Sequence, residues 1–248
     1  MSNFLKTLKN GVIDTLFPEK LTCEVCGRDL FNDGERICED CLETIEFIGD
    51  GFCERCGRQS EKKPSACLNC SKTRNVDLSR SVFTYSGGIQ TLIRRFKYDG
   101  GKYLAGFFVD HMRNVYLQNY FSPDMITFVP MTGFSEFDRG YNQSELLAES
   151  LAERVGVPAV GLLKKTKETH HQAGLDYSER QKNLIGAYAL DNKKAVTGKK
   201  ILIVDDVLTT GATADEIAKL LKKGGAESVY LLTIASVSLN KNDKAQSL

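Results

Sequence analysis

The chain has 248 residues, enough for one large domain or for a standard domain with an appendage. Hydrophobic residues at 42%, charged residues at 26% and a net charge of +1 are an ordinary globular composition and make no global case for a nucleic-acid partner. No apolar run reaches the ~20 residues that span a membrane. Asp14 interrupts any signal-like stretch after Lys6 and Lys9, so a cytoplasmic protein is expected.

Phe4, Leu5, Leu8, Val12, Ile13, Leu16 and Phe17 fall at helical spacing and predict an amphipathic helix within residues 1–20, broken by Pro18. Its apolar stripe would dock on the body of the protein; a membrane-surface helix has only Lys6 and Lys9 in its favour. All eight cysteines follow, in four C-x-x-C pairs: Cys23/Cys26, Cys38/Cys41, Cys53/Cys56 and Cys67/Cys70. Two residues between thiolates let both reach one tetrahedral ion from a tight turn. The joining loops, eleven residues from Gly27 to Ile37 and ten from Gly57 to Ala66, suggest two copies of one metal-binding unit. A secreted disulfide framework would not repeat this spacing four times.

Residues 21–72 lack the apolar periodicity of a self-sufficient core, so a double zinc-ribbon domain over 21–75 is expected. Structural zinc can supply on the order of ten kcal/mol of folding free energy. Sequential pairing of the knuckles and a cross-braced arrangement are both open. A closed four-thiolate shell points to structural rather than catalytic metal. Zinc ribbons bind nucleic acid or protein, but acids such as Glu24, Asp40, Glu43 and Glu54 outnumber the bases here, so charge does not choose nucleic acid.

Residues 76–240 read as an α/β domain. Ser81–Tyr85 predicts a strand, and Ile89, Leu92, Ile93 and Phe96 mark a helix whose other face carries Arg94, Arg95 and Lys97. Between Arg80 and Lys102 stand five basic residues and one acid, Asp99. That is either a solvated face or a patch for a polyanion, whether a nucleic-acid strand or the phosphates of a small ligand. Leu104, Phe107, Phe108, Met112 and Val115 continue as a second helix. Met125–Pro130 is the next strand, and a polar loop carries Arg139 to a helix marked by Leu147, Leu151 and Val155 that stops at Gly156.

The most informative stretch is Ile201 to Thr213. Four apolar residues, Ile201 to Val204, predict a strand buried on both faces of a parallel sheet. Asp205 and Asp206 are expected to end it, at the edge where open α/β sheets place their ligands. Thr209, Thr210, Gly211 and Thr213 then form a small polar loop opening a helix, whose apolar face is Ala214, Ile217, Ala218 and Leu221. Unpaired N–H groups at such a turn seat a phosphate, and carboxylates beside it suit hydroxyls or a cation. Together they describe a sugar-phosphate site. Val229–Ala235 is a last strand, before a polar tail at 241–248. No Walker-type G-x-x-x-x-G-K occurs, which removes support for an NTPase.

The run from Ile201 through Asp205-Asp206 to Thr209-Thr210-Gly211-Ala212-Thr213 resembles the PRPP-binding motif of type I phosphoribosyltransferases. Val129-Pro130, then Arg139-Gly140-Tyr141-Asn142-Gln143 and Leu146-Leu147-Ala148, is similar to the ComF family, with Glu136 and Asp138 where that family carries basic residues. Lys164-Lys165, Gln172, Glu179-Arg180 and Asn183 extend the likeness; His170 and His171 fall in the same segment, as proton-transfer candidates near neutral pH or as exposed loop side chains.

The resemblance covers essentially the whole chain. It implies an α/β fold with a type I phosphoribosyltransferase-like parallel sheet flanked by helices, behind an N-terminal cysteine-rich double zinc ribbon. It further implies PRPP held by Val207, Leu208, Thr209, Thr210, Gly211, Ala212 and Thr213, with Asp205 and Asp206 as the catalytic acids on the ribose. Mg²⁺ would accompany PRPP, and Pro130, Met131, Thr132 and Arg139 would hold the pyrophosphate. Two structural zinc ions would be bound by Cys23, Cys26, Cys38, Cys41, Cys53, Cys56, Cys67 and Cys70. The setting it implies is natural transformation, with single-stranded DNA, a competence helicase or other uptake proteins as partners. The acceptor is left open, as is a non-catalytic role in sensing PRPP, binding DNA or adapting the uptake machinery.

Overall fold

A computed structural model of the chain describes residues 22–30, 36–60, 64–67, 70, 75–119, 121–167 and 183–239. The N-terminal helix expected within 1–20, the segment with His170, His171, Gln172 and Arg180, and the tail lie outside the described residues. The chain divides into two compact units, Met1–Ile45 and Glu46–Leu248.

The first unit is a metal-binding knuckle. Cys23 N–H donates to Arg28 O at 2.7 Å, and Gly27 N–H returns to Cys23 O at 2.8 Å, with Gly27 at φ 75° making the turn. A bridge between Thr22 and Asp29 closes it, and the short helix α1, Glu39–Glu43, presents Cys41.

The second unit begins with a copy of that knuckle. Cys53 N–H donates to Arg58 O at 2.9 Å and Gly57 N–H to Cys53 O at 2.8 Å, with Phe52 bridging Gln59. Here the knuckle is fused to the sheet that follows. Ser79 N–H donates to Arg55 O at 2.9 Å, and a Cβ on Gly57 would sit 2.6 Å from Ser79 O, so only glycine permits the approach.

Four parallel strands form the main sheet: β1 (Leu78–Thr84), β2 (Met125–Phe128), β5 (Lys200–Leu208) and β6 (Ser228–Ser236), in the order β1-β6-β5-β2. Between them come α2 (Gly87–Tyr98), α3 (Ala105–Gln118), α4 (Gly133–Arg139), α5 (Gln143–Val155), α6 (Lys193–Val196) and α7 (Ala212–Lys223). A separate antiparallel pair joins β3 (Leu163–Lys165) to β4 (Tyr188–Leu190). Along β1, residues 46–48 run antiparallel, with Thr84 N–H on Glu46 O and Ile48 N–H on Val82 O, which covers that edge.

β5 and β6 are central and buried on both faces, as their β-branched runs require. Ile201, Ile203, Val229 and Leu231 pack with Ile217, Ala218 and Leu221 of α7. The alternate residues Leu202, Val204 and Leu232 are equally buried and point to the other side, where α3 and α5 lie. Two expectations differ from what is observed. Strand β5 does not end at the acids but runs on to Leu208, because Val207 and Leu208 keep their main-chain register with Ala235 and Ser236 of β6. The polar loop before α5 contains a helical segment, α4, that its mixed sequence did not announce.

Helix α5 starts at a fully used cap. Asn142 Oδ1 accepts from Ser144 N at 3.1 Å and Glu145 N at 3.4 Å, while its Nδ2 donates to Val129 O at 3.1 Å. Replacing Asn142 with Ala should cost about 2 kcal/mol, through the cap and the orphaned carbonyl together. Asn142→Asp, which keeps the cap and loses the donor, should cost less. Urea unfolding midpoints of the three proteins test this order, and equal midpoints would remove the cap from the account.

Candidate functional site

The four cysteines of each knuckle pair converge in sequential sets, Cys23/Cys26/Cys38/Cys41 and Cys53/Cys56/Cys67/Cys70, with all sulfurs of a set within 4.8 Å of one another. This decides between the two pairings left open by the spacing. Sulfur separations are 3.8 Å for Cys26–Cys38, 3.7 Å for Cys53–Cys70, and 3.6 Å for both Cys56–Cys67 and Cys67–Cys70. A tetrahedron with Zn–S bonds of 2.3 Å has edges of about 3.8 Å, so both donor sets fit zinc. Cys38 N–H pointing at Cys23 Sγ, 3.4 Å, stabilises a thiolate there.

At the carboxyl end of β5, Asp205, Asp206 and the whole stretch from Val207 to Thr213 line one cavity of ≈ 270 Å³, together with Lys97, Ala214, Leu231 and Thr233. Gly211 caps α7 in the left-handed region at φ 85°, which a side chain would disfavour, and Thr210 Oγ1 accepts from Ala212 N at 3.3 Å. The turn therefore presents the start of a twelve-residue helix to the cavity. In that helix's first turn, buried Asp215 accepts from Asn75 N at 2.7 Å and Asn75 Nδ2 at 3.0 Å.

The two acids have different partners. Lys97 Nζ lies 2.8 Å from Asp206 Oδ2, and both side chains are largely buried. Burial works to lower the Lys97 pKa, but the Asp206 charge and hydrogen bond overcome it and leave the ammonium raised. Asp205 Oδ1 accepts from Ser144 Oγ and from Asp206 N–H, each at 2.9 Å. Burial, with the Asp206 charge adding to it, pushes the Asp205 carboxyl up to about 7, while the Asp206 N–H, Lys97 and Ser144 resist that rise. The Tyr188 hydroxyl on β4 is pushed up by burial and by the Asp205 charge.

Pro130, Met131, Thr132 and Arg139 do not line the cavity. Arg139 stacks its guanidinium 4.8 Å from the Tyr98 ring, donates to Tyr98 Oη at 3.1 Å and to Gln143 Oε1 at 3.3 Å, and sits close enough for its charge to act on Lys97. The rest of the Arg139–Gln143 run braces helix α2. Tyr141 Oη donates to Phe96 O, and Gln143 Nε2 donates to Lys97 O at 3.3 Å. Both hold the turn from which Lys97 reaches Asp206. Lys97 had been visible only as one member of a basic helix face, and Ser144 as an unmarked helix residue. The sequence signal that could have found Lys97 is a lysine immediately after buried Phe96 on an otherwise amphipathic helix.

Two measurements check this geometry. Carboxyl NMR should show Asp205 titrating near 7, and Ser144→Ala, which removes a donor to the ionised form, should move it upward; an Asp205 midpoint near 3.8 would contradict the buried site. The folded protein keeps this proton where an unfolded chain loses it, so ionising Asp205 opposes folding. Stability relative to Asp205→Asn should therefore fall between pH 3.8 and about 7 and level off above. Metal analysis should find about two zinc ions per chain; a metal-free preparation that keeps both knuckles folded would exclude the zinc assignment.

Residues 12–71 match the family model described as a double zinc ribbon domain, and residues 142–247 match that of a phosphoribosyl transferase domain. Competence protein F of Haemophilus influenzae is 30% identical over 221 residues, covering 86% of this chain and 96% of that protein. Competence protein ComFC of Streptococcus pneumoniae is 32% identical over 208 residues, covering 83% and 90%. The DNA utilization protein YhgH of Escherichia coli K12 is 29% identical over 218 residues, covering 84% and 94%. With the paired tetrathiolate knuckles and the parallel sheet carrying Asp205 and Asp206, these likenesses lead to one assignment: the chain belongs to the ComF family of competence proteins, built from a double zinc ribbon and a phosphoribosyltransferase-type domain.

Proposed function

We propose that this chain binds PRPP with Mg²⁺ at the end of β5 and serves the handling of incoming single-stranded DNA. One observation carries the reading: a single cavity brings two adjacent carboxylates, a buried ammonium and a glycine-led helix start to one place. The 5-phosphate belongs on Thr209–Thr213, where backbone N–H groups and short hydroxyls meet it. The ribose hydroxyls belong on Asp205 and Asp206, with Val207, Leu208 and Ala212 forming the wall. Mg²⁺ bound with PRPP supplies charge neutralisation of the pyrophosphate oxygens, for which the paired acids are suitable donors.

In the enzymatic form of the reading, the bond from C1 to pyrophosphate breaks and a nitrogen nucleophile bonds to C1. Asp205 and Asp206 stabilise positive charge developing on the ribose. Lys97 is then free to exchange Asp206 for a phosphate oxygen, and Arg139 with Pro130–Thr132 holds the departing pyrophosphate. The names of the relatives, a competence protein and a DNA utilization protein, support the setting. DNA uptake proteins, a helicase among them, are the partners this setting favours, and the cytoplasm is its compartment. Among the described residues no helix is long and apolar enough to cross a membrane.

A second reading, PRPP binding without turnover, is favoured by a specific feature. Asp206 already has an ion-pair partner, and none of Pro130, Met131, Thr132 or Arg139 lines the cavity. Calorimetry with Mg²⁺ and PRPP, beside an assay for released pyrophosphate across nucleobases and single-stranded DNA, separates the two. Asp205→Asn/Asp206→Asn should abolish binding, and Lys97→Met should weaken it at least about tenfold if the ammonium moves to a phosphate oxygen. Binding should tighten as pH rises through about 7, as Asp205 ionises. Absence of PRPP binding by the wild-type protein would defeat both readings, and binding without pyrophosphate release on any acceptor leaves the non-catalytic one.

A further inference from the structure

Two cysteines of the second four-cysteine set, the buried Arg58 and the Leu208–Ala214 loop line one small void. A void of ≈ 20 Å³, room for about one water, is lined by Cys56, Cys70 and Arg58 on one side and by Leu208, Gly211 and Ala214 on the other. It is too small for a ligand. Arg58 is only 2% exposed, and all four sulfurs of the set lie close enough to act on its charge. Its Nε has no hydrogen-bond partner among the described residues.

A zinc ion with four thiolates carries a net charge of −2 by arithmetic. Burying such a centre behind a loop that receives a phosphate would oppose the phosphate unless a cation stood between. A second guanidinium supports that need: Arg80, held by Asn119 Oδ1 at 2.6 Å and by the Glu54 and Ser79 carbonyls at 2.8 Å, also acts on Cys53 and Cys56. Arg58 and Arg80 match the two negative charges of such a centre; Arg55 also lines the void, and Glu54 acts on Arg80. At the first set Arg28, on which Cys38 and Cys26 also act, is exposed and bonded to Asp40 at 2.5 Å rather than buried.

We propose that Arg58 is the buried counter-ion of the second zinc centre, and that this neutralised centre is the floor on which the Leu208–Ala214 loop rests. Arg58 is a positioning residue: it acts on the loop through packing and charge and touches no ligand. The role of the loop as a phosphate seat rests on the reading given above; the role of Arg58 toward zinc does not.

Full-length protein loaded with zinc is mixed with a chromophoric chelator, and cysteine alkylation with peptide mass spectrometry reports which set has lost its ion. Arg58→Met should speed zinc loss from Cys53/Cys56/Cys67/Cys70 by about tenfold or more, while loss from the first set is unchanged. Arg58→Lys, which keeps the charge, should stay within about threefold of wild type. In Arg58→Met, hydrogen exchange at the amides of 208–214 should quicken while that of α3 stays unchanged. If Arg58→Met fails to fold, Arg58→Gln against Arg58→Lys makes the same comparison. Unchanged zinc retention in the neutral variant, or equal loss in the neutral and Lys variants, overturns the counter-ion; unchanged loop exchange overturns the floor. Should wild-type protein bind no PRPP, the site reading fails and the zinc results stand by themselves.

Discussion

The Lys97–Asp206 ion pair joins α2 to β5 at 2.8 Å and sits beside a second carboxylate, Asp205, for which no ion pair is found among the described residues. Two unit charges 4 Å apart at an effective dielectric near 20 repel by about 4 kcal/mol. Adjacent acids on a buried strand therefore need unequal treatment. Lys97 pairs with Asp206, while Asp205 accepts hydrogen bonds from Ser144 and a backbone amide and is pushed by burial up to about 7.

That arrangement explains what surrounds it. In the run from Arg139 to Gln143 much of the segment is a clamp. Tyr141 and Gln143 hold consecutive carbonyls of α2, Asn142 starts α5, and α5 supplies Ser144 one residue after Gln143. One short segment thus places the partners of both carboxylates. Arg139 is held against Tyr98 and Gln143 close to Lys97, outside the cavity lining.

The second zinc knuckle presents the same logic beside the Leu208–Ala214 loop. Both knuckles use one local hydrogen-bond pattern around a C-x-x-C-Gly turn, and the second is built into the sheet that follows it, through Ser79 and Gly57. Repetition in sequence therefore does not imply equivalence of role. The second centre is buried beside two guanidiniums, whereas the arginine by the first is exposed and paired with an aspartate.

The local physics of the chain was legible without a structure. Thiolate pairs two residues apart determine a metal knuckle, apolar β-branched runs determine buried parallel strands, and the Thr-Thr-Gly after the acids determines a tight turn that opens a helix, because each depends on neighbours in sequence. What only the tertiary structure decided are the contacts across long separations. These are the sequential grouping of cysteines, the run of β5 past its acids in register with β6, and the choice of Lys97 from a basic face as the partner of Asp206. Ser144 bonded to Asp205 and Arg58 beside the Leu208–Ala214 loop belong with them. Each depends on which elements the sheet order β1-β6-β5-β2 brings side by side, and no periodicity along the chain encodes that neighbourhood.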